Sequence, residues 1–293
     1  MNACKEKAYA KINLFLDCIS RRPDGFHNIK SVMHSVSLYD DVTVTLGKTG
    51  KRNIRVILDG NRRLPTDNKN LVYVAAERFM DKAAIDADIT IRLDKRIPIS
   101  AGLAGGSSDA AATLRAMNRL FNRCFTERIL LDIAAEIGSD VPYCLVGGTH
   151  LCEGRGEVLT RLDSTRELFV VIAIENERVS TPMAYGTLDE LYSDFDGTIS
   201  TGGDEYYPQL LHYLSGGEMP EGLFNCFEKA VFPLCPGAMS LKARMLELGA
   251  KLSLMSGSGP SVFGIFDTED LAEAAKHALS LDGTRAFVAK SVT

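Results

Sequence analysis

Pro98-Ile-Ser-Ala-Gly-Leu-Ala-Gly-Gly-Ser-Ser-Asp-Ala-Ala111 carries three glycines and two serines between Ala101 and Ser108, directly ahead of a helical pattern. Upstream, Asp88 to Leu93 alternates as a strand does. Downstream, residues 107 to 121 put Ala110, Leu114, Met117 and Phe121 on one helical stripe, with Ser107 or Ser108 as N-cap and Asp109 in the first turn. Strand, glycine loop and helix thus follow one another. Glycines let backbone approach a ligand closely, and a helix N-terminus offers unpaired amides and a positive dipole end, which together suit phosphate. A tight strand-to-helix connection with ordinary capping serines accounts for the same residues. Two other phosphate motifs are excluded, because no G-x-x-x-x-G-K-[ST] occurs and Gly102-Leu-Ala-Gly-Gly lacks the G-x-G-x-x-G spacing.

Outward from this loop, segments 7–19, 34–46 and 53–59 read as strands, and 70–82 shifts to a helical period. Thr126 to Ile137 predicts a helix and Leu168 to Ile174 a buried strand. Residues 193–222 are rich in Gly, Ser, Asp, Tyr and Pro and read as a long irregular loop. Helical patterns return at 223–232 and 237–248, then strand, Ser-Gly-Ser-Gly turn and strand over 250–266, a helix at 268–280 and a strand at 285–292. The order is that of an α+β protein of two lobes, which the spacing divides into 1–158 and 159–293.

The chain has 293 residues, 45% hydrophobic and 24% charged, enough for one large core or two modest ones. A formal charge of −5 supplies no broad cationic face for a nucleic-acid backbone. The seven cysteines contain no C-x-x-C pair and fit reduced thiols of a cytoplasmic protein. No apolar run is long enough for export or for spanning a bilayer. Monomer and homodimer are both compatible with this composition.

The 98–111 stretch resembles the second motif of the galactokinase, homoserine kinase, mevalonate kinase and phosphomevalonate kinase (GHMP) superfamily. Lys7-Ala-Tyr-Ala-Lys-Ile-Asn-Leu-Phe-Leu resembles its N-terminal motif, and Ser256-Gly-Ser-Gly-Pro-Ser-Val-Phe its C-terminal glycine motif. Arg22-Pro-Asp-Gly-Phe-His-Asn and Ile137-Gly-Ser-Asp-Val-Pro-Tyr-Cys-Leu are similar to the branch that phosphorylates the 2-hydroxyl of a cytidyl diphosphate methylerythritol, in non-mevalonate isoprenoid precursor synthesis. The resemblance runs from about residue 7 to the end and is weakest over 193–222. It implies an ATP- and Mg2+-dependent kinase whose N-terminal lobe binds nucleotide on a ribosomal-protein-like α+β scaffold. A GHMP-kinase-like C-terminal lobe would complete it, with the active site in a cleft between the two.

Phosphoryl transfer needs a phosphate cradle, a cation and an acceptor for the hydroxyl proton. An aspartate in the turn Gly138-Ser-Asp-Val is ordinarily a cap or turn former, and a lysine in the alternating run Ala10-Lys-Ile-Asn is ordinarily solvated. The resemblance implies that Asp140 instead faces the substrate hydroxyl as base, and that Lys11 pairs with it and stabilises transferring charge. Asn13, on the same strand face as Lys11, would bond substrate. The phosphate cradle implied by the motif is Pro98 with Ala101, Gly102, Leu103, Ala104, Gly105, Gly106, Ser107 and Ser108. Asn70 and Lys95 correspond to adenine contacts, although a helix cap and a solvated strand end describe them equally. His27 would read the cytosine edge with Phe26 beside it; the family usually has tyrosine at position 26, so a hydroxyl is lost here. Tyr185 would enclose the base from the other side with Thr181 near it. A capped helix start at Thr181-Pro182 with Tyr185 on the core side is the alternative.

Other functions share parts of this pattern. Homoserine or a mevalonate derivative as substrate would need no aromatic slot of the Phe26, His27, Tyr185 kind. A non-catalytic nucleotide-binding protein would not need both Lys11 and Asp140, and the acidic balance opposes RNA binding by the N-terminal lobe.

Overall fold

In the computed structural model, residues 2–60, 64–175, 178–192 and 205–292 are described. Along the chain the elements are β1 (Ala3–Arg21), β2 (His27–Thr49), β3 (Asn53–Asp59), α1 (Leu71–Ala83), β4 (Ala87–Asp94), α2 (Gly105–Leu120), α3 (Glu127–Ile137), α4 (Val141–Val146), β5 (Thr149–Glu153) and β6 (Val158–Arg161). They continue with β7 (Phe169–Ile174), α5 (Thr181–Leu191), α6 (Tyr206–Leu214), α7 (Glu228–Val231), α8 (Pro236–Glu247), β8 (Leu252–Met255), β9 (Val262–Phe266), α9 (Glu269–Leu281) and β10 (Arg285–Lys290). The chain forms two compact units. One holds residues 1–10, 39–99 and 104–146; the other holds 11–38, 100–103 and 147–293. This division is discontinuous, whereas the sequence pattern suggested a single cut after 158.

In the first unit, β3 lies parallel to β4 through the α1 crossover, and β4 runs antiparallel to the far half of β2, with Val42 opposite Leu93 and Val44 opposite Ile91. Ile89, Ile91 and Leu93 are buried on one face of β4, as an alternating strand requires, and α1 buries Val72, Ala75, Ala76, Phe79 and Met80. Helix α2 carries the expected stripe, Ala110, Leu114 and Met117. The six residues of α4 were not anticipated, being too few to show a period.

In the second unit, β10, β7, β9 and β8 form an antiparallel sheet in that order. The near half of β2 pairs with β5 over Ser31–His34, and β5 pairs with β6. A core of Val171, Ala173, Val262 and Phe266 from the sheet with Ala238, Leu241 and Met245 of α8 and Ala272, Ala275 and Leu279 of α9 holds it together.

Three expectations need correction. The loop expected over 193–222 contains α6; residues 193–204 of that stretch lie outside the described residues. Glu205 to Leu214 has Leu210, Tyr213 and Leu214 buried, a helical stripe that the neighbouring Gly and Pro obscure. The helix expected over 223–232 shrinks to α7, because Phe224 O and Cys226 N–H bond the Leu16 backbone in a bridge centred on Asn225, and the Asn225 side chain bonds Met255 O, Gly257 O and Phe227 N–H. Helix α2 begins at Gly105, two residues before the serines proposed to cap it.

Candidate active site

In the first unit, α2 starts from Ala104, whose left-handed φ of 55° turns the chain into the helix and whose carbonyl accepts from Ser108 N–H at 2.8 Å. No side chain caps this end, so the amides of Gly105, Gly106 and Ser107 precede the first helical hydrogen bond and point out of the helix. Gly106 is exposed. That is the arrangement an anion needs. Ser108 is not part of it: its side chain is buried and donates to Tyr9 O at 2.6 Å, so Ser107 is the serine left for a ligand.

Beneath this first turn, Lys95 is enclosed between Asp40 and Asp109, 2.6 Å from Asp109 Oδ2. A Cβ at Gly105 would meet Ile97 Cγ2 at 3.1 Å and Lys95 Nζ at 3.4 Å, so α2 starts in close contact with both side chains. Burial works against the charge of Lys95, but Asp109 and Asp40 outweigh it and the net shift is upward. Burial pushes the Asp109 carboxyl up to about 8, against the pull of Lys95 and assisted by Asp40. Asp40 also takes the amides of Arg96 and Ile97. The solvated strand end that was the alternative to an adenine contact for Lys95 is excluded, since its ammonium is committed to two carboxylates. Asn70 caps α1, accepting from Val72 N–H at 3.2 Å and donating to Pro65 O at 2.8 Å, which is the structural role foreseen for it. Pro98 lies between β4 and α2, next to the 2%-exposed Ile97.

Asp140 stands where α3 gives way to α4. Gly138 ends α3, Val141 N–H donates to Gly138 O at 3.1 Å, and Asp140 O accepts from Cys144 N–H at 3.0 Å as the first bond of α4. Within this unit no hydrogen bond or ion pair occupies its carboxylate. The far end of α4 is held by Arg115, whose Nη1 donates to Cys144 O at 2.8 Å and Leu145 O at 3.2 Å.

In the second unit, Lys11 is 3% exposed and donates to Asn13 Oδ1 at 2.7 Å and Gly102 O at 2.8 Å. Asn13 Oδ1 also accepts from Gly257 N–H at 2.8 Å, while Nδ2 donates to Ser31 Oγ at 2.8 Å. The solvated outward lysine is excluded; Lys11 is a buried cation with two of its three protons fixed. Gly102 (φ 76°) packs against the second glycine turn so tightly that a Cβ would fall 2.0 Å from Ser256 O. Ser256 Oγ donates to Gly102 O at 3.1 Å, and Ser261 N–H donates to Ala101 O at 3.3 Å. Leu103 O accepts from Lys11 N–H at 3.2 Å. The Ser256-Gly-Ser-Gly turn thus braces residues 101–103.

Also in this unit, His27 Nε2 lies 2.6 Å from Asp189 Oδ1, and the Tyr185 ring stacks on the imidazole at 4.6 Å and 25°. Tyr185 meets Phe227 edge-on at 4.7 Å, which joins it to the core. Phe26 is 49% exposed, with the Arg155 guanidinium 4.8 Å from its ring centre. Ser180, not Thr181, caps α5; Thr181 Oγ1 is 2.9 Å from Ser258 Oγ. Asp189 was missed from sequence, yet it follows Tyr185 by one helical turn and shares its face.

Among the described residues, no group of three or more His, Cys, Asp or Glu side chains could hold a metal, and no helix is long and apolar enough to cross a membrane.

Residues 70–148 match the family described as GHMP kinases N terminal domain and residues 211–283 match GHMP kinases C terminal, which places this glycine-turn architecture among the GHMP kinases. A 4-diphosphocytidyl-2-C-methyl-D-erythritol kinase of Clostridium acetobutylicum is 35% identical over 290 residues, 98% of this chain and 99% of that one. A kinase of the same name from Macrococcus caseolyticus is 40% identical over 274 residues, 94% of each chain. The crystal structure of a 4-(cytidine 5'-diphospho)-2C-methyl-D-erythritol kinase superposes with a TM-score of 0.80 at 31% identity, over 99% of this chain and 100% of that one. A homoserine kinase from Cytophaga hutchinsonii shares the fold at a TM-score of 0.72 and 22% identity, over 100% of this chain and 95% of that one. The chain belongs to the 4-diphosphocytidyl-2-C-methyl-D-erythritol kinase family.

Proposed function

We propose that this protein transfers the γ-phosphoryl group of ATP to the 2-hydroxyl of 4-diphosphocytidyl-2-C-methyl-D-erythritol, as a cytoplasmic step of non-mevalonate isoprenoid precursor synthesis. The observation that carries the substrate is the end-to-end likeness to kinases of that name, 35% to 40% identical. The substrate oxygen bonds to the γ-phosphorus, the bond to the bridging oxygen breaks, ADP leaves, and Asp140 takes the hydroxyl proton. Its carboxylate is unoccupied within its own unit and its backbone is fixed by α4, which supports that role. Lys11 keeps one proton for charge on the transferring group, because Asn13 and Gly102 hold the other two. Asn13 fixes Lys11 and retains one Nδ2 proton for substrate.

The phosphates rest on the free amides of Gly105, Gly106 and Ser107, with residues 101–103 held by the second glycine turn. Magnesium supplies charge neutralisation on the triphosphate; with no protein cage among the described residues, phosphate oxygens, water and the Ser107 hydroxyl would be its ligands. Asn70 keeps one Nδ2 proton for adenine beyond its cap and Pro65 bonds, whereas Lys95, held by Asp40 and Asp109, would act there through the backbone it anchors. His27 reads the cytosine, the half-exposed Phe26 offers it a ring face, and Tyr185 and Thr181 shape the surrounding wall.

A coupled ADP-release assay offering the cytidyl diphosphate erythritol, homoserine and mevalonate separately tests the substrate. Turnover of only the first is expected, and equal or greater turnover of either of the others would overturn it. Asp140→Asn should bind nucleotide as wild type does, with kcat lowered by at least about 100-fold. Unchanged turnover would remove Asp140 from its role.

A further inference from the structure

We infer that Asp189 is a positioning residue that sets the hydrogen-bonding sense of His27, so that the site accepts an amino-bearing pyrimidine and rejects its oxo counterpart. The inference rests on the cytidyl reading above for its ligand, but its geometry is independent of it. An ionised carboxylate can only accept hydrogen bonds. With Asp189 Oδ1 2.6 Å from Nε2, the imidazole proton is held on Nε2. In the neutral ring Nδ1 is then a lone-pair acceptor, and it has no hydrogen bond among the described residues.

Three features keep this arrangement from relaxing. The His27 side chain is 5% exposed, so water does not compete freely for the Asp189 bond. Tyr185 lies flat on the ring and is itself wedged edge-on against Phe227, which fixes the imidazole plane. Arg21 Nε, 3.7 Å from Asp189 Oδ2, adds a modest further hold on the carboxylate's position, since Arg21 is largely solvated.

An acceptor facing the ligand pairs with an exocyclic amine such as that on C4 of cytosine. Uracil presents an oxygen there, and two lone pairs would then oppose one another. A site built around one hydrogen-bond sense discriminates against the opposite sense far better than a merely apolar pocket does. Asparagine at 189 breaks the assignment, because its amide can donate to Nε2 and move the ring proton to Nδ1.

Two measurements on the full-length protein test this. Long-range 1H–15N NMR of the ligand-free protein should show the His27 proton on Nε2 with Nδ1 bare, shifted toward Nδ1 in Asp189→Asn and restored in Asp189→Glu. Steady-state kinetics should show the cytidyl-to-uridyl ratio of kcat/KM falling at least about tenfold in Asp189→Asn, through KM more than kcat, with recovery in Asp189→Glu. A wild-type ring protonated on Nδ1 or on both nitrogens would overturn the inference, as would an unchanged ratio in Asp189→Asn. If wild type turns over neither nucleotide substrate, the cytidyl reading fails, while the tautomer result still decides the role of Asp189.

Discussion

His34 is fully buried, with Nδ1 2.8 Å from Thr149 Oγ1 and Nε2 2.9 Å from Ser291 Oγ, and burial pulls its pKa down from 6.5 to about 4. The unfolded chain takes up a proton near pH 6.5 that the folded chain refuses until about pH 4. Stability from this group is therefore complete above pH 6.5 and is lost as the pH falls toward 4, by about 3 kcal/mol. Urea unfolding at pH 7.5 and 4.5 should show a smaller pH-dependent loss for His34→Gln than for wild type. Lys95 is the opposite case, a charge that burial would expel but two carboxylates retain. Lys95→Met leaves Asp40 and Asp109 buried side by side and should cost about 3 to 5 kcal/mol in the same assay at pH 7.5. None of this was visible in sequence, since the partners stand 14 and 55 residues from Lys95 and 115 and 257 from His34.

At the scale of elements, two glycine turns were legible by composition, but the necessity of Gly102 is decided by what it touches. Gly102 has a positive φ and no room for a Cβ, which would lie 2.0 Å from Ser256 O. Gly25 has φ 84° with nothing within 4 Å. Gly25→Ala should lose only the conformational term, about 1 kcal/mol, whereas Gly102→Ala must also push the 101–103 and 256–259 turns apart and should lose roughly 3 kcal/mol or more. Denaturant midpoints of the two variants check the contrast. Long periodic helices such as α1 and α9 were readable to within a residue or two, because their buried stripes repeat over several turns. The short α4 and α7 were not, since local hydrogen bonds at Asp140 and Asn225 set them.

For the molecule as a whole, the formal charge of −5 bears on the RNA-binding alternative. Non-specific affinity for nucleic acid comes from phosphate neutralisation and collapses with salt. Fluorescence polarisation with labelled single-stranded RNA should show no saturable binding at 50 or 200 mM salt; a salt-sensitive isotherm would revive that alternative. Six of the seven cysteines are buried and Cys124 is exposed. The chain closes each unit from separated segments, with residues 11–38 grouped with 147–293. A linear reading looks for composition shifts between neighbours, so it finds one boundary where the contacts make several.

Sequence by itself determined the α+β succession, the family and the positions of the glycine turns, because period, turn chemistry and motif spacing are local properties. It also brought Lys11, Asn13, His27 and Asp140 forward as residues worth explaining. Only tertiary structure decided that Ser108 serves Tyr9, that Lys95 is spent on two aspartates, that Asn13 and Gly102 fix Lys11, and that Asp189 holds His27. Which hydrogen-bonding atoms remain for a ligand depends on which are already used, and their partners come from distant segments of the chain.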